Sequence, residues 1–273
     1  MTDYNSPFFA VERTAQPTSA GPVELPILYP DTSYVMALFS VDRTAAERPV
    51  RSEGLRPALT RGGRAVVAVA GYHYRDSTVG PYFEVGLAVP VVPVGAPGGP
   101  RWLQVLRNEE SPKRDLGFHV LHLPVTTDAA NVAGREIWGL PKFVTGIDVQ
   151  HTGRSITVRV DDPAGGEPIM TLDGRAGPGG PSPALPVMLY SRLAGQLLRT
   201  SVNGRGRTTA YPGGHLRLRV GAGAHPMADT LRSLGLDGGK PWLVLTADSA
   251  QSRLNRGVPV TAGATAAVNT LDR

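Results

Sequence analysis

Short apolar runs broken by turn residues constrain this chain more than any other feature. SYVMALFSV (33–41), RAVVAVAGYHY (64–74), YFEVGLAVPVVPV (82–94), RWLQVLRN (101–108), FHVLHLPV (118–125), GIDVQHT (146–152), SITVRVDD (155–162), PVMLYSRLAG (186–195), HLRLRV (215–220) and PWLVLTA (241–247) are rich in Val, Leu, Ala and Tyr. They recur at intervals of roughly 10 to 20 residues with Gly, Pro, Asn or Asp between them, the rhythm of an antiparallel barrel or sandwich. Glycine (33) and proline (25) are scattered among the runs, which argues for many turns and against disorder. The expected fold is mainly β (α+β), with helix as the minority state.

Three short helices are predicted. DRTAAERPV (42–50) should end before Pro49, and PMADTLRSLGL (226–236) should start at its proline and end near Gly235. TTDAANVAGREIWG (126–139) has Thr127 or Asp128 to cap it and Gly139 with Pro141 to stop it. Residues 1–22 read as a polar, flexible arm, and 23–273 as one domain, a length that a single β-barrel commonly reaches.

Composition removes several function classes. With no cysteine, disulfides, thiolate metal sites and cysteine nucleophiles are excluded. The first residues have no basic leader followed by an apolar core, and no segment is apolar enough to span a bilayer, so a soluble cytoplasmic protein without a membrane partner is expected. The formal charge is +5, but acids are interleaved with the bases. The Arg-rich stretch 199–220 contains Leu216, Leu218 and Val220 alternating with Arg217 and Arg219, a strand with one solvated basic face, so nucleic acid is not the expected partner.

His119 and His122 stand three apart in a strand, which places them on opposite faces, so no metal site is expected. GRGRTT (204–209) and GAGAHP (221–226) lack the setting of a phosphate loop and read as hairpin turns. Lysine chemistry remains. Lys113, Lys142 and Lys240 are the only lysines, whereas arginine is plentiful. An amine that must shed its proton and attack a carbonyl cannot be arginine, whose guanidinium stays charged. Lys113 in ESPKRD and Lys240 in DGGKPW read as solvated loop residues. Lys142 in WGLPKFV lies among apolar neighbours that would desolvate its ammonium. Holding an amine uncharged at neutral pH costs about 4–5 kcal/mol, a size suited to a functional site. The alternative is a lysine that buries its stem and keeps its head in water.

NVAGREIWGLPKFV (131–144) resembles the segment of the acetoacetate decarboxylase superfamily that carries the imine-forming lysine. GPYFEVGLAVPV (81–92) resembles the family strand with an acidic catalytic residue, and LVLTADSAQSRLNRGVPV (243–260) resembles the family's C-terminal segment. The resemblance implies an oligomeric, antiparallel, cone-like β-barrel with an interior pocket, and a lyase that needs no cofactor or metal. Lys142 would form a Schiff base with a keto acid and Glu84 would position substrate or shuttle a proton. The reaction would be decarboxylation or a related aldol or dehydration step. Glu84 shares a strand face with Tyr82, Gly86 and Ala88, which is either solvent-facing or the wall of a pocket. Arg135 and Glu136 are either an ion pair or holders of a substrate carboxylate, and Trp138, Leu140 and Phe143 are expected to form the apolar wall around the amine.

The departures are specific. Phe143 stands where the best-known decarboxylases have a second lysine, so no adjacent cation assists Lys142. Thr32 and Val69 fall near the places of a family arginine and a second pocket carboxylate, and neither can do the same work. Relatives lacking the full set include aldolase-dehydratases and enzymes of secondary metabolism, and a barrel that only binds a small hydrophobic ligand is the alternative reading.

Overall fold

A computed structural model of the chain describes residues 4–98, 101–106, 111 and 114–260. A hairpin of β1 (Thr14–Gln16) and β2 (Val23–Leu25) leads into the long β3 (Ile27–Val41), helix α1 (Arg43–Arg51) and the short β4 (Leu55–Pro57) and β5 (Thr60–Arg61). β6 (Arg64–Asp76), β7 (Tyr82–Pro93) and β8 (Gly117–Val125) continue as an antiparallel meander, and helix α2 (Asp128–Trp138) delivers β9 (Lys142–Val144). β10 (Ile147–Thr152), β11 (Ser155–Val160) and β12 (Met170–Arg175) follow, then β13 (Gly180–Ser182), β14 (Val187–Leu193), β15 (Gln196–Gly206), β16 (Thr208–Pro212) and β17 (Arg217–Val220). Helix α3 (Pro226–Ser233), β18 (Leu243–Leu254) and β19 (Val258–Pro259) end the described chain.

The strand order β18-β3-β6-β7-β8-β14-β15, closed by pairing of β15 with β18, makes a seven-stranded barrel. Its ladders are antiparallel except between β8 and β14. A separate sheet of order β10-β11-β12-β17 covers part of the outside. Along β7 the residues of one parity, Val85, Leu87, Val89 and Val91, pack outward with Val149, Val158, Leu172 and Leu218 of that sheet. The other parity, Glu84, Gly86 and Ala88, faces a cavity inside the barrel. Both faces are therefore dry, which is why these strands read as nearly continuous apolar runs. The sheet lies close: a Cβ on Gly71 would stand 3.0 Å from Val149 and 3.1 Å from Val158.

Four expectations are corrected. Residues 14–16 of the polar arm pair with β2, and Ser19 bonds Glu136, so the arm is bound to the barrel. The run 101–108 is a 3₁₀ turn at Trp102–Leu106 in its described part; Trp102 and Leu103 are exposed, so a strand there would have no core to face. Helix α1 runs through Pro49 to Arg51, because the fully buried Val50 anchors its last turn. GRGRTT is not a hairpin: β15 and β16 both pair antiparallel to β18, and Gly206 at φ 147° carries the bend between them. Lys113 lies outside the described residues, and Lys240 is exposed.

Candidate active site

Lys142 reaches the barrel interior through the end of α2. Thr127 accepts from the Ala130 amide to cap the helix start. Gly139 at φ 65° ends the helix, its amide bonded to the Arg135 carbonyl at 3.0 Å, a left-handed cap that a side chain would strain. A Cβ there would also overlap the Arg192 carbonyl. β9 then lies parallel to β8 with Lys142 beside Leu123, and the Arg135 guanidinium donates to the Lys142 carbonyl at 2.9 Å. The lysine stem crosses Gly134, where a methyl group would overlap its Cδ and Cε.

Lys142 is 5 % exposed and Glu84 7 %. Nζ donates to Glu84 Oε2 at 2.7 Å, and Tyr74 donates to Oε1 at 3.2 Å. The Tyr82 ring lies 5.5 Å from Nζ, and its hydroxyl is 3.1 Å from that of Tyr29. Burial first, and the Glu84 carboxylate next, push the hydroxyls of Tyr29, Tyr72 and Tyr74 above the ordinary tyrosine range. For Tyr82 burial leads and Tyr29 comes before Glu84. These phenols stay protonated at neutral pH, so they can donate hydrogen bonds but cannot supply negative charge. Two opposite charges held dry are costly unless each is well bonded, and here the carboxylate accepts two bonds while the ammonium faces an aromatic ring.

The pair lines a cavity of about 170 Å³. Its walls come from inward positions of the barrel strands, including Tyr29, Thr32 and Met36 of β3 and Ala68, Ala70, Tyr72 and Tyr74 of β6, and from Leu140 in the link between α2 and β9. The exposed residues 204–206 lie at its edge.

Of the residues expected around the amine, Lys142, Glu84 and Leu140 line this cavity and Tyr82 borders the lysine. The others do not come together there. Arg135 and Glu136 are exposed and do not pair with each other: Arg135 ties the backbone of β9, and Glu136 accepts from the Ser19 amide at 2.8 Å and from its hydroxyl. Trp138 does not line the cavity: it is buried in the cluster that holds Tyr29, Tyr82 and Leu140, and donates to the Asn255 carbonyl at 3.0 Å. Phe143, one residue along the strand from Lys142, turns outward onto the His225 ring. Val69 likewise points into the outer core, whereas Thr32 lines the cavity. Sequence reasoning passed over Tyr29, Tyr74 and Gly134. The alternation Tyr72, His73, Tyr74 was the available signal for the second, and the glycine of G-R-E for the third.

His119 and His122 also require correction. A bulge opposite Leu87 and Ala88 shifts the register of β8, so both histidines face one outer cleft instead of opposite sides. His119 Nδ1 lies 3.0 Å from the Tyr190 carbonyl and His122 Nε2 lies 2.8 Å from the Thr230 hydroxyl. Among the described residues no group of three or more His, Asp or Glu side chains is placed to hold a metal, and no helix is long and apolar enough to cross a membrane.

The barrel has solved counterparts. An acetoacetate decarboxylase from Legionella pneumophila superposes with a TM-score of 0.61 at 17 % identity, covering 92 % of each chain. The enduracididine biosynthesis enzyme MppR, complexed with pyruvate, gives 0.58 at 12 % identity over 86 % of this chain and 90 % of its own. An acetoacetate decarboxylase-like enzyme from Sphingomonas wittichii RW1 gives 0.56 at 11 % identity over 84 % of this chain and 91 % of its own. At these identities the likeness is one of fold. No curated protein sequence matches the chain. The model of the family Acetoacetate decarboxylase (ADC) matches residues 13–227, well over half of the 273 residues, and the chain therefore belongs to the acetoacetate decarboxylase family.

Proposed function

We propose that this protein is a cofactor-independent lyase that forms a Schiff base between Lys142 and a keto acid. Family membership supports a lyase-type enzyme, and a fold relative solved with pyruvate supports a small keto acid as ligand. The observation that carries the reading is the Lys142 amine, buried on a cavity wall with the Glu84 carboxylate 2.7 Å away. An ammonium has no lone pair, so Nζ must pass a proton on before it can attack, and Glu84 Oε2 is within reach to accept it.

The free amine adds to the keto carbon, and Glu84 passes the proton it accepted to the departing hydroxyl, so that loss of water leaves a protonated imine on Lys142. In a 3-oxo acid the bond from the α-carbon to the carboxylate can then break, its electron pair flowing to the iminium nitrogen as CO2 departs. A proton taken up from solvent through Glu84 then goes to the α-carbon, and addition of water to the imine releases the ketone and the amine. A carbonyl acceptor in place of the proton turns the same nitrogen sink to aldol and dehydration chemistry. Tyr74 holds the second carboxylate oxygen of Glu84 and so keeps the first directed at Nζ.

Borohydride reduction in the presence of pyruvate, acetoacetate or longer oxo acids, followed by peptide mass spectrometry, tests the proposal. The expected result is a stable adduct on Lys142 that is lost in Lys142→Ala. Absence of any adduct across that series would leave only a ligand-binding barrel.

A further inference from the structure

The cavity is larger than its reactive corner. Glu84, Gly86 and Ala88 are successive inward positions of β7, so the wall extends about 13 Å from the carboxylate at a rise of about 3.3 Å per residue. Facing positions on β6 are Ala70 and Ala68, which pair with Gly86 and Ala88 across the ladder. Four small residues on two neighbouring strands hollow the barrel where large side chains would fill a packed interior. Met36, Phe118 and Leu245 close this arm.

Charge is confined to the ends. Glu84 and Lys142 satisfy one another, and the only other charged lining residue among those described is Arg205. Arg205 is exposed at the edge of the cavity, bonded to Gln251 at 2.7 Å and Ser6 at 3.0 Å and lying over the Phe8 ring. Among the other polar residues that line the cavity, Thr32 has a buried hydroxyl that lacks a hydrogen-bond partner among the described residues. A buried hydroxyl without a partner marks a place for a ligand's polar group. Pyruvate or acetoacetate would occupy the reactive corner and leave the apolar arm empty.

Building on the imine reading above, we infer that the substrate is an oxo acid with a medium-length apolar tail. Its carbonyl lies at Lys142, its polar head is within reach of Thr32, and its tail lies in the arm walled by Gly86, Ala88, Ala70, Ala68, Met36 and Phe118. Each methylene moved from water into such an arm improves affinity about fourfold. Ordering a tail with four extra methylenes offsets part of that gain.

Two measurements separate this inference from the reading it rests on. The first is borohydride trapping on Lys142 as a function of acetoacetate or 3-oxooctanoate concentration. The second is calorimetric binding of octanoate, which has no keto group and cannot form an imine. Half-saturation at least about tenfold lower for 3-oxooctanoate, octanoate binding with a negative heat-capacity change, and loss of both preferences in Ala88→Phe and Ala70→Leu are expected. Trapping of acetoacetate at equal or lower concentration than 3-oxooctanoate would overturn the inference and leave the imine chemistry standing. Octanoate binding that Ala88→Phe weakens, without any trapping, would support the apolar arm and reject the imine. Neither trapping nor octanoate binding in a folded protein would reject both.

Discussion

Lys142 and Glu84 hold each other's charge in a dry place, so neither can be removed alone without stranding its partner. Lys142→Met should cost about 3–5 kcal/mol in denaturant unfolding, and adding Glu84→Gln should recover a large part of that loss. If the single and double variants unfold alike, the pair is solvated and the mechanism loses its premise. Gly134 has a sharper role. Gly134→Ala improves helix propensity but drives a methyl group into the lysine stem, so we expect a net loss of about 1–3 kcal/mol and at least tenfold weaker trapping on Lys142. Lys142 was legible because lysine is scarce in this chain and its neighbours are apolar. The apolar wall was misassigned at Trp138 and Phe143, because adjacency along a chain does not say which side of a strand or helix end a residue takes. The amine is instead dried by Gly134, Leu123 and the tyrosines of three strands distant in sequence.

Helix α2 was readable nearly to the residue, since its capping threonine and its terminal glycine are local signals. The two ends should differ in cost. Thr127→Ala loses one capping bond, about 1 kcal/mol. Gly139→Ala combines a left-handed backbone, about 1–2 kcal/mol by itself, with overlap on the Arg192 carbonyl, so it should destabilise more than the cap variant in the same unfolding assay. Because β9 follows directly, Gly139→Ala should also reduce trapping on Lys142, whereas Thr127→Ala should leave it closer to wild type. The bulge in β8 had no comparable signature. An extra residue in a ladder is set by the partner strand, and the histidine faces could not be assigned from an offset of three alone.

Across the whole molecule, burial against the outer cleft holds His122 at a pKa of about 4, with His225 adding a smaller push in the same direction. The unfolded chain takes up this proton near pH 6.5, the folded chain only near 4. Between those values the unfolded state binds more protons, so stability should fall as pH drops through the window. His122→Gln should flatten that part of a stability-against-pH curve, and an unchanged slope would mean that His122 is protonated equally in both states. The barrel itself was legible as a class, because apolar runs at a turn-punctuated spacing leave few other ways to bury so many short strands. The polarity of β15 hid its place as the strand that closes the ring. The sequence by itself determined that this is a mainly β chain with one lysine set among apolar residues after a capped helix. Those properties are local, written in periodicity, propensity and turn chemistry. Only the tertiary structure decided that Lys142 meets Glu84, that Arg135 and Glu136 stay outside, and that an apolar arm extends beyond the pair. Those outcomes depend on strand register and on which parity of each strand faces inward, and closure of the barrel settles both at once.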